Sequence, residues 1–185
     1  MIEVELKYPM DVLKPLRETF VSMGAQSVSV FEQSDEYFND PLRNFEKLDC
    51  ALRIRRSDAG YVLTYKGPGM DETAKIRQEI EATFVDANEA NQAAQLFEAI
   101  GFVSVARVVK CREEMMLEWR GRNVHICLDE VEEVGGFVEL ELVVESSDES
   151  EQAKATLLSL AESVGLQTPI RTSYLTLLLK RRGQI

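Results

Sequence analysis

The first seven residues, Met1 to Lys7, alternate strictly between apolar and charged side chains, and no other feature constrains the fold as tightly. In an extended strand successive side chains point to opposite faces, so Glu3, Glu5 and Lys7 share one face while Ile2, Val4 and Leu6 cover the other. The pattern recurs along the chain, with like charges doubled at a spacing of two in Arg53/Arg55, Glu79/Glu81 and Glu139/Glu141. On an open solvated face such doublets gain nothing. In a confined space they act as split binding groups, carboxylates for a hard cation and bases for a polyanion.

Turn and cap signals divide the chain between these segments. An amphipathic helix is expected over Asp11 to Gly24, with Asp11 as its N-cap, Pro15 in its first turn and Gly24 as its stop. A strand over about Ser27–Phe38 leads into a loop, Asn39 to Asp49, that could lie over an opening. Ala51–Arg56 and Tyr61–Lys66 flank the turn Asp58-Ala59-Gly60 as a hairpin. Lys75–Phe84, Val103–Trp119, Val124–Val131 and Phe137–Glu145 read as strands, and Asp86–Ile100, Asp148–Val164 and Ser173–Arg181 as helices.

Sorting the strand residues by parity separates two surfaces. One collects Glu3, Glu5, Lys7, Arg53, Arg55, Lys66, Lys75, Arg77, Glu79, Glu81, Lys110, Arg112, His125, Cys127, Asp129, Glu139 and Glu141. The other is almost wholly apolar and is the surface on which apolar helix stripes can pack. The expected class is α+β, an eight-stranded antiparallel closed β-barrel with a charged lumen and helices on its outer apolar face. A single domain over residues 1–185 is expected, since nothing in the composition marks a linker.

Charge narrows the partners. With 21 basic against 32 acidic residues the net charge is −11, which disfavours a long nucleic acid or an anionic membrane surface. Three cysteines without C-x-x-C spacing suit a reducing compartment, and a cytoplasmic location is expected in the absence of a signal or membrane-spanning segment. With one histidine, His125, a zinc site or a Ser-His-Asp triad is hard to build, and His125 reads as structural. The cysteines read as small packing residues. No G-x-x-x-x-G-K-[ST] run occurs, so phosphate must be held by side chains. Carboxylates suit Mg²⁺ or Mn²⁺, and bunched Arg and Lys suit phosphate oxygens.

Glu3-Val4-Glu5-Leu6-Lys7 resembles the E-x-E-x-K opening of the CYTH superfamily, the triphosphate tunnel metalloenzymes. The resemblance continues through Asp35-Glu36-Tyr37-Phe38, Leu52-Arg53-Ile54-Arg55, Tyr65-Lys66-Gly67-Pro68-Gly69 and Arg77-Gln78-Glu79-Ile80-Glu81. Lys110-Cys111-Arg112, Leu128-Asp129 and Gly136 to Glu141 complete it. It implies that Glu3, Glu5, Asp129, Glu139 and Glu141 bind Mg²⁺ or Mn²⁺. It further implies that Lys7, Arg53, Arg55, Lys66, Lys110 and Arg112 clamp a triphosphate, and that Glu79, Glu81 and Asp129 serve catalysis. Lys75 and Arg77 read as lumen ion-pair residues.

Lys66-Gly67-Pro68-Gly69 and Arg171-Thr172-Ser173-Tyr174 resemble the class IV adenylyl cyclase branch, in which ATP becomes cyclic AMP and pyrophosphate. The doubled acids resemble instead the triphosphatases acting on thiamine triphosphate, inorganic triphosphate or a nucleoside triphosphate. Tyr174 is also open to a reading as a packing anchor. A non-catalytic polyphosphate-binding module is the reading from a different class, and a homodimer is compatible with any of them.

Overall fold

The computed structural model describes residues 2–69 and 75–185. Met1, and the side-chain placement expected of Lys75, lie outside what is described. Eight strands run β1 Ile2–Met10, β2 Gln26–Asn39, β3 Ala51–Ser57, β4 Gly60–Lys66, β5 Lys75–Phe84, β6 Val103–Trp119, β7 Arg122–Val131 and β8 Gly135–Val144. They close a barrel in the order β1-β5-β4-β3-β2-β6-β7-β8. Every pairing is antiparallel. Closure leaves no free sheet edge and gives each strand an inner and an outer face.

The register carries the parity argument into three dimensions. Residues directly opposite each other on neighbouring antiparallel strands project to the same face. Glu5 is opposite Glu141, Lys7 opposite Glu139, and His125 opposite Glu141. Arg112 is opposite Asp129, Asp35 opposite Arg55, and Lys66 opposite Glu79. The charged parity is therefore the lumen, all the way round.

Three helices cover the outside. Helix α1, Lys14–Ser22, contributes Leu16 and Phe20. Helix α3, Ser150–Ser163, contributes Ala153, Leu157, Leu160 and Ala161 to the same core as Val4, Leu6, Ile126, Leu140 and Leu142. Helix α2, Ala87–Ala99, lays Ala90 and Phe97 on Phe38, Leu52 and Ile54. A 3-10 turn at Ser147–Glu149 precedes α3.

Helix α4, Tyr174–Arg181, departs from the expected outer packing. Its Tyr174 and Leu178 pack on Tyr37, Val108, Val131 and Phe137. Those four belong to the inner parity, because Tyr37 is opposite Arg53, Val108 opposite Asp35, and Phe137 opposite Asp129. The lumen-facing residues turn apolar at one end, and the last helix fills that end. Outer apolar surface was therefore not the only surface a helix could use.

Local capping is mixed. Asp86 accepts from the Glu89 backbone N–H at 2.9 Å, and Ser173 caps α4 by accepting from Thr176 N–H at 3.0 Å. Asp11 is not the N-cap expected of it: α1 starts at Lys14 behind Leu13, too far along for the Asp11 side chain, while Pro15 keeps its place in the first turn. Gly136 is required by close approach, since a Cβ there would sit 2.7 Å from the Met10 carbonyl oxygen across the β1–β8 ladder. Among the described residues no helix is long and apolar enough to cross a membrane.

Leu157 is wholly buried between α3 and the barrel, whereas its neighbour Leu158 is 38% exposed. Leu157→Ala is expected to lower the unfolding free energy by about 2–5 kcal/mol. Leu158→Ala is expected to cost about 0.5 kcal/mol or less. Denaturant unfolding of the two variants measures the difference.

Candidate active site

The lumen and its mouth form a cavity of about 840 Å³. It is lined by Glu3, Glu5, Lys7, Arg53, Arg55, Lys66, Arg77, Glu79, Glu81, Lys110, Arg112, His125, Glu139 and Glu141. Every acid and base expected at the site faces this one space except Asp129. The mouth is bordered by Asn44, Phe45, Asp49 and Cys50, from the segment between β2 and β3, and by Arg171 to Ser173 ahead of α4.

Buried charges need partners, and here they neutralise one another. Lys7 Nζ lies 3.0 Å from Glu139 and 3.5 Å from Glu5. Arg112 reaches Glu139 and pairs with Asp129. Lys66 bridges Glu3 at 2.9 Å and Glu79. Burial by itself would raise Glu3, but Lys66 and a hydrogen bond from Glu79 hold it well below the usual carboxylate range. Glu79 takes the opposite course: burial and its hydrogen bond to Glu3 push it up to about 8. The two acids thus hold one proton between them beside an ammonium group.

Asp35, within Asp35-Glu36-Tyr37-Phe38 on β2, supports the bases of the cavity wall, a part that the sequence pattern does not mark. Its carboxylate, 2% exposed, accepts from Arg53 at 3.0 Å and from Arg55 at 2.7 and 2.8 Å. Burial would raise it, yet the two guanidinium groups keep it well below the aspartate range. The fork contacts fix both arginines on the wall. The buried Nε of Arg53 and of Arg77 has no hydrogen-bond partner among the described residues, and both arginines line the cavity. A cavity lined by these bases suits an anion.

Asp129 stands differently from the other acids. It is fully buried and does not line the cavity. Lys110 donates to it at 3.0 Å, Arg112 at 2.7 and 2.6 Å, and the Tyr174 hydroxyl at 2.8 Å. Its oxygens are engaged in positioning two bases. Tyr174 itself lies under Lys7, whose Nζ is 4.0 Å from the ring centroid, and under Lys110 at 5.0 Å. Tyr174 is thus both packing anchor and cation support.

Among the described residues, two clusters have donor sets that suit a metal. Glu5, Glu139 and Glu141 offer one carboxylate oxygen each within 4.8 Å of one another, an all-oxygen set for a hard cation. Burial raises the Glu141 carboxyl, against the lowering effect of His125 and Arg112 beside it. Glu114, His125 and Cys127 form a second group within the same 4.8 Å. Hydrogen bonds to Cys127, Glu114 and Glu141 raise the imidazole to about 12. Glu81 is exposed toward the far end of β5, where the Thr64 hydroxyl donates to it at 2.9 Å.

Folded-state lowering of Asp35 and Asp129 sets a pH dependence. The unfolded chain binds their protons first, so their contribution to stability is complete above about pH 4 and declines as the pH falls. Urea midpoints of the native protein are expected to fall on acidification through this range, and Asp35→Asn to flatten the curve.

Comparison with known proteins agrees with this geometry. The CYTH domain family matches residues 1–174. The "Putative adenylate cyclase MJ0240" of Methanocaldococcus jannaschii is 32% identical over 179 residues, covering 96% of this chain and 98% of that protein. The PH1819 protein of Pyrococcus horikoshii superposes with a TM-score of 0.85 at 38% identity, over 97% of this chain and 99% of the other. A Hippeastrum protein named as adenylyl cyclase HpAC1, and described as having a dominant triphosphatase activity, shares the fold at a TM-score of 0.66 and 18% identity, over 100% of this chain and 96% of that one. The chain belongs to the CYTH domain family.

Proposed function

We propose that the protein is a divalent-cation-dependent enzyme acting on a nucleoside triphosphate, of class IV adenylyl cyclase type, converting ATP to cyclic AMP and pyrophosphate. The observation that carries this reading is the mixed lining of one enclosed cavity, with a carboxylate triad and a set of bases within reach of the same ligand. A pure anion binder has no use for Glu5, Glu139 and Glu141 beside its ligand. At about 840 Å³ the cavity exceeds what a bare triphosphate fills, and Phe45, Leu52 and Leu175 in its lining suit an organic moiety.

In this reading Glu5, Glu139 and Glu141 hold Mg²⁺ or Mn²⁺, with Glu3 beside them. The bound ion supplies charge neutralisation for phosphate oxygens. Arg53 and Arg55, fixed by Asp35, grip the polyphosphate, and Lys7, Lys66, Lys110 and Arg112 complete the clamp. Lys7, Lys66 and Arg112 exchange their internal carboxylate partners for substrate phosphate as the ligand enters. Asp129 acts through Lys110 and Arg112 as a positioning residue. Glu79 holds a proton at its carboxyl near neutrality, which suits proton exchange with the reacting hydroxyl or water.

A second reading is a triphosphatase, and the Glu79/Glu81 pair favours it. A water held on that side attacks the terminal phosphorus and orthophosphate is released, whereas in the cyclase the ribose 3′-hydroxyl attacks the α-phosphorus and pyrophosphate leaves. The way the polyphosphate lies in the lumen selects between them.

Glu141→Gln is expected to lower cation-dependent turnover about 100-fold or more, with the fold retained by circular dichroism. Arg53→Ala is expected to weaken triphosphate binding about 10- to 100-fold in calorimetry. Incubation with ATP and with inorganic triphosphate, under Mg²⁺ and under Mn²⁺, decides the reaction. Cyclic AMP with pyrophosphate supports the cyclase, orthophosphate supports the triphosphatase, and no product under any condition overturns both.

A further inference from the structure

We propose that Glu114, His125 and Cys127 form a second cation site, selective for a borderline-soft divalent ion of the Zn²⁺ class and separate from the all-oxygen triad. The three lie on the inner parity of β6 and β7, where Glu114 is opposite Cys127 and Met116 opposite His125. One ligand atom from each falls within 4.8 Å of the others. His125 Nδ1 is 3.8 Å from Cys127 Sγ and 3.2 Å from Glu141 Oε2. Bonds of about 2.0–2.3 Å to a tetrahedral ion put neighbouring ligand atoms roughly 3.3–3.8 Å apart, so the His125–Cys127 spacing matches one of its edges. Glu114 Oε2 lies 3.7 Å from His125 Nε2.

Donor chemistry separates this site from its neighbour. Sulfur, imidazole nitrogen and carboxylate oxygen together select Zn²⁺ or Co²⁺ over Mg²⁺, whereas Glu5 and Glu139 offer oxygen alone. Access and retention are both built in. Glu114 and His125 line the cavity, while Cys127 is fully buried behind them and shielded from bulk solvent. Arg112, the nearest base, is already committed to Asp129 and Glu139. One histidine makes a zinc site hard to build, but a barrel wall lets it combine with a thiol and a carboxylate from adjacent strands. Glu141, a member of the all-oxygen triad, lies 3.2 Å from His125 Nδ1 and so joins the two sites through the imidazole.

Co²⁺ titrated into the full chain, with Mg²⁺ in large excess, tests the assignment without reference to turnover. The expected result is a thiolate-to-cobalt charge-transfer band that saturates at one equivalent and is displaced by Zn²⁺. Cys127→Ser is expected to abolish the band and Cys111→Ser to leave it intact. His125→Gln and Glu114→Gln are each expected to weaken Co²⁺ binding about 10- to 100-fold. Glu114 and His125 are partly exposed, so these two variants carry the test if the buried serine variant fails to fold. The proposal is overturned by absence of the band in the native protein, by its survival in Cys127→Ser, by its loss to Mg²⁺, or by unchanged affinity in both glutamine variants.

Discussion

Mutual neutralisation of acids and bases inside a closed barrel is the constraint from which the rest of this structure follows. A lone carboxylate or ammonium group in such a space costs several kcal/mol in lost hydration. Lys7 with Glu139, Lys66 with Glu3, Arg55 with Asp35 and Arg112 with Asp129 each offset that cost within the lumen. The arrangement also makes the cavity exchangeable. A polyanion and a cation entering together can take over the same charges in the opposite combination, leaving the interior as neutral as before.

The last helix matters because it turns an open cylinder into a chamber with distinct ends. Phe137 and Tyr174 pack at an interplanar angle of 60° with ring centroids 4.9 Å apart at the filled end. The Tyr174 hydroxyl then reaches Asp129, which in turn aligns Lys110 and Arg112. Packing of α4 and orientation of two bases are one event. The opposite character prevails at the mouth, where Asp49 adopts a left-handed φ of 51° and its carboxylate meets Arg77 at 3.3 Å and Arg171 at 3.1 Å.

Much of this was legible in the chain because strand parity is a strict rule. Alternation at Glu3-Val4-Glu5-Leu6-Lys7 has two solutions only, and helices elsewhere with apolar stripes choose between them. That logic located the inner face on every strand except β2, and the closed eight-stranded barrel. It failed where a residue's part depends on contacts distant in sequence. Asp35 has inner parity, but its neighbours on β2 are mixed, so no doublet marked it. Asp129 reads like any other inner acid, and only the three donors around it distinguish a positioning carboxylate from a cavity-lining one. Placement of α4 inside the barrel end hinged on Val108, Val131 and Phe137, apolar residues on a parity that is otherwise ionic. Asp11 had the chemistry of a cap without the distance.

The ladder that joins Ile2 to Val144 has a consequence for biogenesis. Strand β1 finds its partners in β5 and β8, never in the segments that follow it directly. Emerging from a ribosome, the β1 ribbon with Glu3, Glu5 and Lys7 must wait until β8, Gly135–Val144, has been made before its second neighbour exists. Contacts this remote in sequence are slow to form, and an unpaired strand is a template for wrong partners meanwhile. The alternating charges that equip the finished chamber also keep that waiting ribbon hydrated and discourage it from joining another copy of itself.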